Sequence, residues 1–219
     1  MQRSAKFLFL FIFILGFYCP ALAINSEHII INAIQKNYQS VRTLQAEFEQ
    51  KSFVSMINRT EIAQGNVQIK KPGKMKWTYN DPDPQVLISN QKNLWLYSLE
   101  DKQATKMPVE SIYSSNTPAL FLSGQGILTN IFNVTEVITG KNIYTVTLSP
   151  KEAKSDLSRL ILRANKNNYQ ITGVTVYDEL GNKTQIKFRN IRINEQIAES
   201  TFEFKVPAGV ETQDFTPNP

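Results

Sequence analysis

The 219-residue sequence is poor in the side chains that do covalent and metal chemistry: it holds one cysteine, Cys19, and one histidine, His28. Cys19 lies inside an apolar N-terminal run that reads as a removable leader. The remainder can then form no disulfide, offers no thiol nucleophile and has no Cys-ligated metal. It must be held together by an apolar core, and about 200 residues suffice for one. His28 has no His or Cys neighbour at a ligand spacing, and it falls in the first turn of a predicted helix, where it reads as a surface residue. No G-x-S-x-G, H-E-x-x-H or phosphate-binding glycine loop occurs. Asp81 and Asp83 flank prolines, and Asp178 and Glu179 adjoin a hairpin, so turn chemistry accounts for both pairs. No catalytic residue, cofactor or metal is assigned, and an enzyme is not expected. Charge of one sign is also scarce: 24 Lys and Arg face 19 Asp and Glu, a net of +5, with the basic residues scattered. That pattern carries no nucleic-acid footprint.

The leader has three parts. Arg3 and Lys6 make a positive start, Phe7 to Tyr18 is almost wholly apolar, and Ala21-Leu22-Ala23 is a small-x-small cleavage signal. The run is too short to span a bilayer comfortably. Residues 1–23 are therefore expected to be a signal peptide cleaved after Ala23, leaving residues 24–219 as one domain. Cys19 follows Phe17-Tyr18 rather than small residues, so its acylation is not expected. Cleavage removes two cations and lowers the net charge to +3. No second long apolar run follows, and the exported protein should be soluble.

Residues 26–42 predict an amphipathic helix with Ser26 as N-cap and an apolar face of Ile30, Ala33, Ile34, Tyr38 and Val41. Strand signals come next. Leu44, Ala46 and Phe48, then Val67 and Ile69, then Met75, Trp77 and Tyr79 alternate with polar residues. Pro72-Gly73 predicts a tight turn between two of these strands. Val86–Ser89 and Asn93–Ser98 are shorter strands, and Leu94-Trp95-Leu96-Tyr97 is apolar on both faces. Pro108 and Thr117-Pro118 read as helix starts, with apolar clusters at Leu120-Phe121-Leu122 and Ile127-Leu128-Ile131-Phe132. Strands resume at Ile143–Leu148, Leu157–Ala164, Tyr169–Tyr177, Lys183–Ile193 and Thr201–Val206, and Thr212–Pro219 reads as a loose tail. Short connections between successive strands predict an antiparallel meander. The Asn-x-Thr triplets at Asn58, Asn133 and Asn182 read as ordinary turn residues.

Several segments, in order and at similar spacing, resemble the outer-membrane lipoprotein carrier (LolA) family. They are Leu44 to Lys51, then Gly65 with Lys70-Lys71-Pro72-Gly73 and Trp77, then Leu87-Ile88-Ser89 with Leu94 to Tyr97 and Gln103. Thr117-Pro118 resembles the opening of the family's lid helix, and Phe202-Glu203-Phe204 with Pro207 and Gly209-Val210 its C-terminal close. The resemblance covers nearly the whole chain after the leader. It implies a mainly β fold with some helix: a single curved antiparallel sheet forming an unclosed β-barrel, covered by an N-terminal helix and short lid helices. It further implies a non-enzymatic periplasmic chaperone that acts as a monomer. Such a protein takes acylated lipoproteins from an inner-membrane ATP-driven exporter to an outer-membrane acceptor.

Alternation and resemblance together mark Phe48, Val67, Ile69, Met75 and Trp77 as the lining of a lipid-binding cavity, with plain core packing as the competing reading. Leu120, Phe121, Leu122, Ile127 and Leu128 are candidates for the underside of the lid. Lys71 stands where the family often has an arginine that bonds lid carbonyls, so it is the candidate latch, without arginine's planar fork. Met75→Glu is expected to block loading and leave the fold intact. The same pocket would serve a carrier of glycolipid or other lipid, or a lipid- or lipoprotein-sensing domain.

Overall fold

The computed structural model describes residues 26–109, 128–152 and 157–216. The expected leader (residues 1–23), Thr117-Pro118, and the lid candidates Leu120, Phe121, Leu122 and Ile127 lie outside the described residues. Helix α1 (Ser26–Ser40) precedes five strands joined by short connections: β1 (Thr43–Val54), β2 (Arg59–Lys70), β3 (Lys74–Asp81), β4 (Gln85–Asn90) and β5 (Asn93–Ser98). β6 (Gln103–Pro108) follows. A one-turn helix α2 (Leu128–Ile131) runs directly into β7 (Phe132–Thr139), and the second run comprises β8 (Ile143–Pro150), β9 (Leu157–Asn165), β10 (Ile171–Asp178) and β11 (Lys183–Ile193). A 3-10 turn (Glu199–Phe202) leads to the short β12 (Glu211–Asp214).

The twelve strands among the described residues form one sheet, ordered β12-β6-β5-β4-β3-β2-β1-β11-β10-β9-β8-β7. The two meanders join through β1 and β11, which pair antiparallel with a bulge between Gln45 and Glu47. β7 and β12 end the sheet without pairing to each other, so the curved sheet is an unclosed barrel. Its concave face carries the main core, because strand alternation sends Leu44, Ala46 and Phe48 of β1 to the same side as Val67, Trp77 and Phe188. At the β2–β3 turn, Lys71 precedes a cis Pro72 and Gly73 adopts φ +69°, the left-handed conformation glycine enters at least cost.

The convex face has its own apolar cover. Lys70 and Lys74 both bind the Glu199 carboxylate, and their hydrogen bonds hold its pKa down at about 2. That clamp lays the C-terminal segment across β3 to β5. Phe202 is buried there with Ile88, and the Phe204 ring sits 5.0 Å from Trp95 and 5.6 Å from Tyr97. This explains the doubly apolar β5: Leu94 faces the concave core while Trp95 and Tyr97 face Phe204.

Four local expectations need correction. Residues 201–206 form no strand; Phe202 and Phe204 alternate because an extended segment drapes over the sheet without joining it. The expected tail contains β12, which pairs parallel with β6 through backbone bonds such as Phe215 N–H to the Lys106 carbonyl, 2.8 Å. Pro108 ends β6 rather than starting a helix. Asn133-Val134-Thr135 lies in β7, not a turn.

Candidate apolar cavity

The five lining candidates fall on one patch of the concave face. Val67 pairs with Ala46 on one side and Trp77 on the other; Ile69 lies likewise between Leu44 and Met75. Phe48 stands opposite Gly65, with its ring 4.9 Å from Trp77 and 5.0 Å from Tyr79, both edge-on. Edge-to-face packing of this kind orders the rings as well as burying them. Phe188 of β11 extends the patch, 6.4 Å from Trp77. The opposing half of the sheet contributes Leu160, Leu162, Val146, Leu148, Val174 and Ile186 to the same cluster.

In this conformation helix α1 and α2 fill that face. Ile31, Ile34 and Tyr38 of α1 and Leu128 of α2 are buried in the cluster with all five lining candidates. The predicted helix face is thus rotated slightly: Ile31 and Gln35 are buried, while Ala33 is only half-buried. Sequence reasoning misses Gln35 because glutamine is usually a surface residue; its spacing of four from Ile31 is the available signal. Its Oε1 accepts the Leu128 N–H at 2.8 Å, which ties α2 to α1. Its Nε2 and the Trp77 Nε1 have no hydrogen-bond partner among the described residues. Each such buried donor costs on the order of 1–3 kcal/mol. The plugged arrangement is therefore less favourable than an all-apolar core of the same size would be.

Lys71 sits at the end of the plug. Its ammonium donates to the Tyr38 carbonyl in the last turn of α1 and lies 3.5 Å from the centroid of the Tyr38 ring. A cation there complements the negative end of the helix dipole, and α1 carries no basic residue of its own in that turn. The carbonyl that Lys71 binds in the described structure therefore belongs to α1. Beneath this turn lies a narrow apolar cleft with only about 30 Å³ of internal room, lined by Tyr38, Val41, Leu44, Ile69, Lys71 and Phe188 among others.

Burial lowers the Lys71 pKa from 10.5 to about 8. Between these values the unfolded chain binds more protons than the folded one, so stability linked to this group rises with pH across that window. Below about pH 8 the ammonium is charged in both states and its contact with α1 is complete. Lys71→Met is expected to abolish that rise, read as a flatter difference in urea midpoint between about pH 8 and pH 10.

No cluster of His, Cys, Asp or Glu among the described residues could hold a metal ion. Nor is any described helix long and apolar enough to cross a membrane. His28 is exposed on α1.

Residues 39–205 match the model of the family described as outer membrane lipoprotein carrier protein LolA. A protein of Methylococcus capsulatus named outer-membrane lipoprotein carrier protein is 27% identical over 203 residues, covering 93% of this chain and 96% of its own. A Coxiella burnetii protein of the same name is 32% identical over 171 residues, 78% of this chain and 80% of its own. Among solved structures, an uncharacterized conserved protein of Thermus thermophilus shares the fold with a TM-score of 0.54 at 12% identity, covering 86% of this chain and 99% of that one. The sequence match spans both meanders of the sheet and the Lys71 that grips the end of α1, and on that ground the chain belongs to the outer-membrane lipoprotein carrier (LolA) family.

Proposed function

We propose that the protein is a periplasmic chaperone that holds the acyl chains of lipoproteins on its concave face and carries them to the outer membrane. In this reading residues 1–23 are the export signal, and residues 24–219 are the carrier. An inner-membrane ATP-driven exporter supplies the cargo and an outer-membrane acceptor receives it. Phe48, Val67, Ile69, Met75 and Trp77 line the occupied cavity, Leu128 belongs to its cover, and Lys71 latches the empty form shut through α1.

The observation that carries the reading is the plug: an apolar sheet face covered by a helix whose own grip is modest. Burying three large side chains of α1 is worth about 1.5–3 kcal/mol each. One sixteen-carbon acyl chain is worth roughly 0.8 kcal/mol per CH₂, so about 12 kcal/mol. A single chain therefore rivals the plug, and several outcompete it. An unclosed sheet with no β7–β12 pairing can also widen without breaking ladder bonds.

Tryptophan fluorescence tests this directly, because Trp77 is on the concave face and Trp95 is on the convex one. Adding a triacylated lipopeptide should change the emission of the protein and of Trp95→Phe, and should leave Trp77→Phe silent. A signal that follows Trp95 instead would place the chains elsewhere.

A further inference from the structure

The hairpin tips at one end of the sheet carry apolar side chains that the core does not use. Met56, in the β1–β2 turn, is 91% exposed, and Leu180, in the β10–β11 turn, is 77% exposed. Ile57 and Ile62 are exposed beside them. The two turns are fastened together: the Ser55 N–H donates to Asn182 Oδ1 at 2.9 Å, and a side chain at Gly181 would meet the Ser55 hydroxyl at 3.2 Å. Asn182 is itself held by the Asp178 carboxylate at 2.7 and 2.8 Å. The tip is thus a small, braced, protruding apolar point.

Directly behind it, the convex face presents cations in two rows. Register places Arg159, Tyr177 and Lys183 side by side across β9, β10 and β11; Arg159 lies 4.0 Å and Lys183 5.7 Å from the Tyr177 ring centroid. Four residues further along β9 and β11, Arg163 and Lys187 flank Gly173 in the same way. With strands about 4.8 Å apart, those two cations start about 10 Å from each other across a residue with no side chain. Among the described residues none of these four cations has an ion pair, whereas Lys51, Arg59 and Arg189 do. Glu49, which faces Lys187 in register, is already shared by Lys51 and Arg189. The nearby acids at the two turns are Asp178, engaged with Asn182, Glu61, paired with Arg59, and Glu179.

We propose that this end of the sheet docks on an anionic lipid surface, with Met56, Ile57 and Leu180 entering the interface while Arg159, Arg163, Lys183 and Lys187 meet lipid phosphates. Protruding side chains suit a deformable partner, since a rigid protein would need a matching cleft. Apolar residues at the tip with cations a few residues behind follow the layering of a bilayer interface, with hydrocarbon below and phosphate above. The contact is outside the concave face and independent of cargo, so empty protein should show it.

The experiment is co-flotation of the leaderless protein with vesicles, either pure phosphatidylcholine or containing about 30 mol% phosphatidylglycerol. The bound fraction should be several-fold higher on the anionic vesicles and should fall as salt rises to roughly 0.3 M. The pair Arg163→Gln with Lys187→Gln, and separately Met56→Ser with Leu180→Ser, should each lower binding several-fold while leaving lipopeptide binding and the urea midpoint unchanged. Failure to bind anionic vesicles overturns the proposal, as does undiminished binding by both variants; an acidic protein surface would then be the partner to seek. Loss of lipopeptide binding in the wild-type protein would instead strike the carrier reading and leave this one standing.

Discussion

Gly65→Ala is expected to lower stability by more than about 3 kcal/mol, the range reserved for changes the fold cannot relax around. A Cβ at this position would lie 1.9 Å from the Thr78 carbonyl oxygen and 3.0 Å from Phe48 Cε1. The first contact is with backbone in the paired strand β3, so it cannot be relieved by turning a side chain. Strands β2 and β3 already shift register between Gln64 and Gly65, and the close approach that follows needs a residue with no side chain. Parting them would also move Trp77 and Tyr79 off the Phe48 ring, since both hang on β3 and Phe48 on the strand beyond β2. Urea unfolding followed by circular dichroism reads the effect. A loss below about 1 kcal/mol would mean the hairpin can open there at little expense, and the cavity wall would be softer than its packing implies.

Met75→Glu should be nearly as severe, and the structure changes the reason. The sequence alone predicts blocked loading and an intact fold. Met75 is only 1% exposed, placed between Ile69 and Ser89 in the sheet and covered by the core cluster. A carboxylate there would be desolvated without a partner, a penalty of several kcal/mol. Burial raises a carboxyl pKa, so the neutral form is favoured in the folded state. The deficit should therefore shrink as pH falls toward about 4, where the unfolded chain's glutamate also takes up its proton. A deficit that is small and independent of pH would put position 75 in an open, solvated part of the face.

The parts legible in the sequence are those where one face is buried and the other is wet. Phe48, Val67, Ile69, Met75 and Trp77 alternate with polar residues over uninterrupted strands, and register then brings them together. Helix α1 is legible for the same reason, apart from its buried Gln35. The two ends of the sheet are not. β12 is exposed at all four residues and is held by backbone bonds to β6 and the Lys106–Asp214 pair, so it has no apolar period to read. β7 shifts register between Val134 and Glu136, which breaks the alternation that would have marked it. Residues 201–206 show the converse: Phe202 and Phe204 alternate, but alternation reports an extended chain between two environments, not a hydrogen-bonded neighbour. Lys71 stands out by family position, while its acceptor, the Tyr38 carbonyl, carries no sequence signal, because any residue at the end of a helix offers one.

The proposed function requires that the concave face exchange its helical plug for acyl chains and keep them in water. Release from spheroplasts measures it most directly. Protein comprising residues 24–219 is added to spheroplasts making labelled lipoprotein, and the supernatant is analysed for soluble acylated protein. A one-to-one soluble complex is expected, with release abolished by substitutions that close the concave face to lipid. No release in the presence of an exporter shown to be active would contradict it, and the face would then belong to a different lipid.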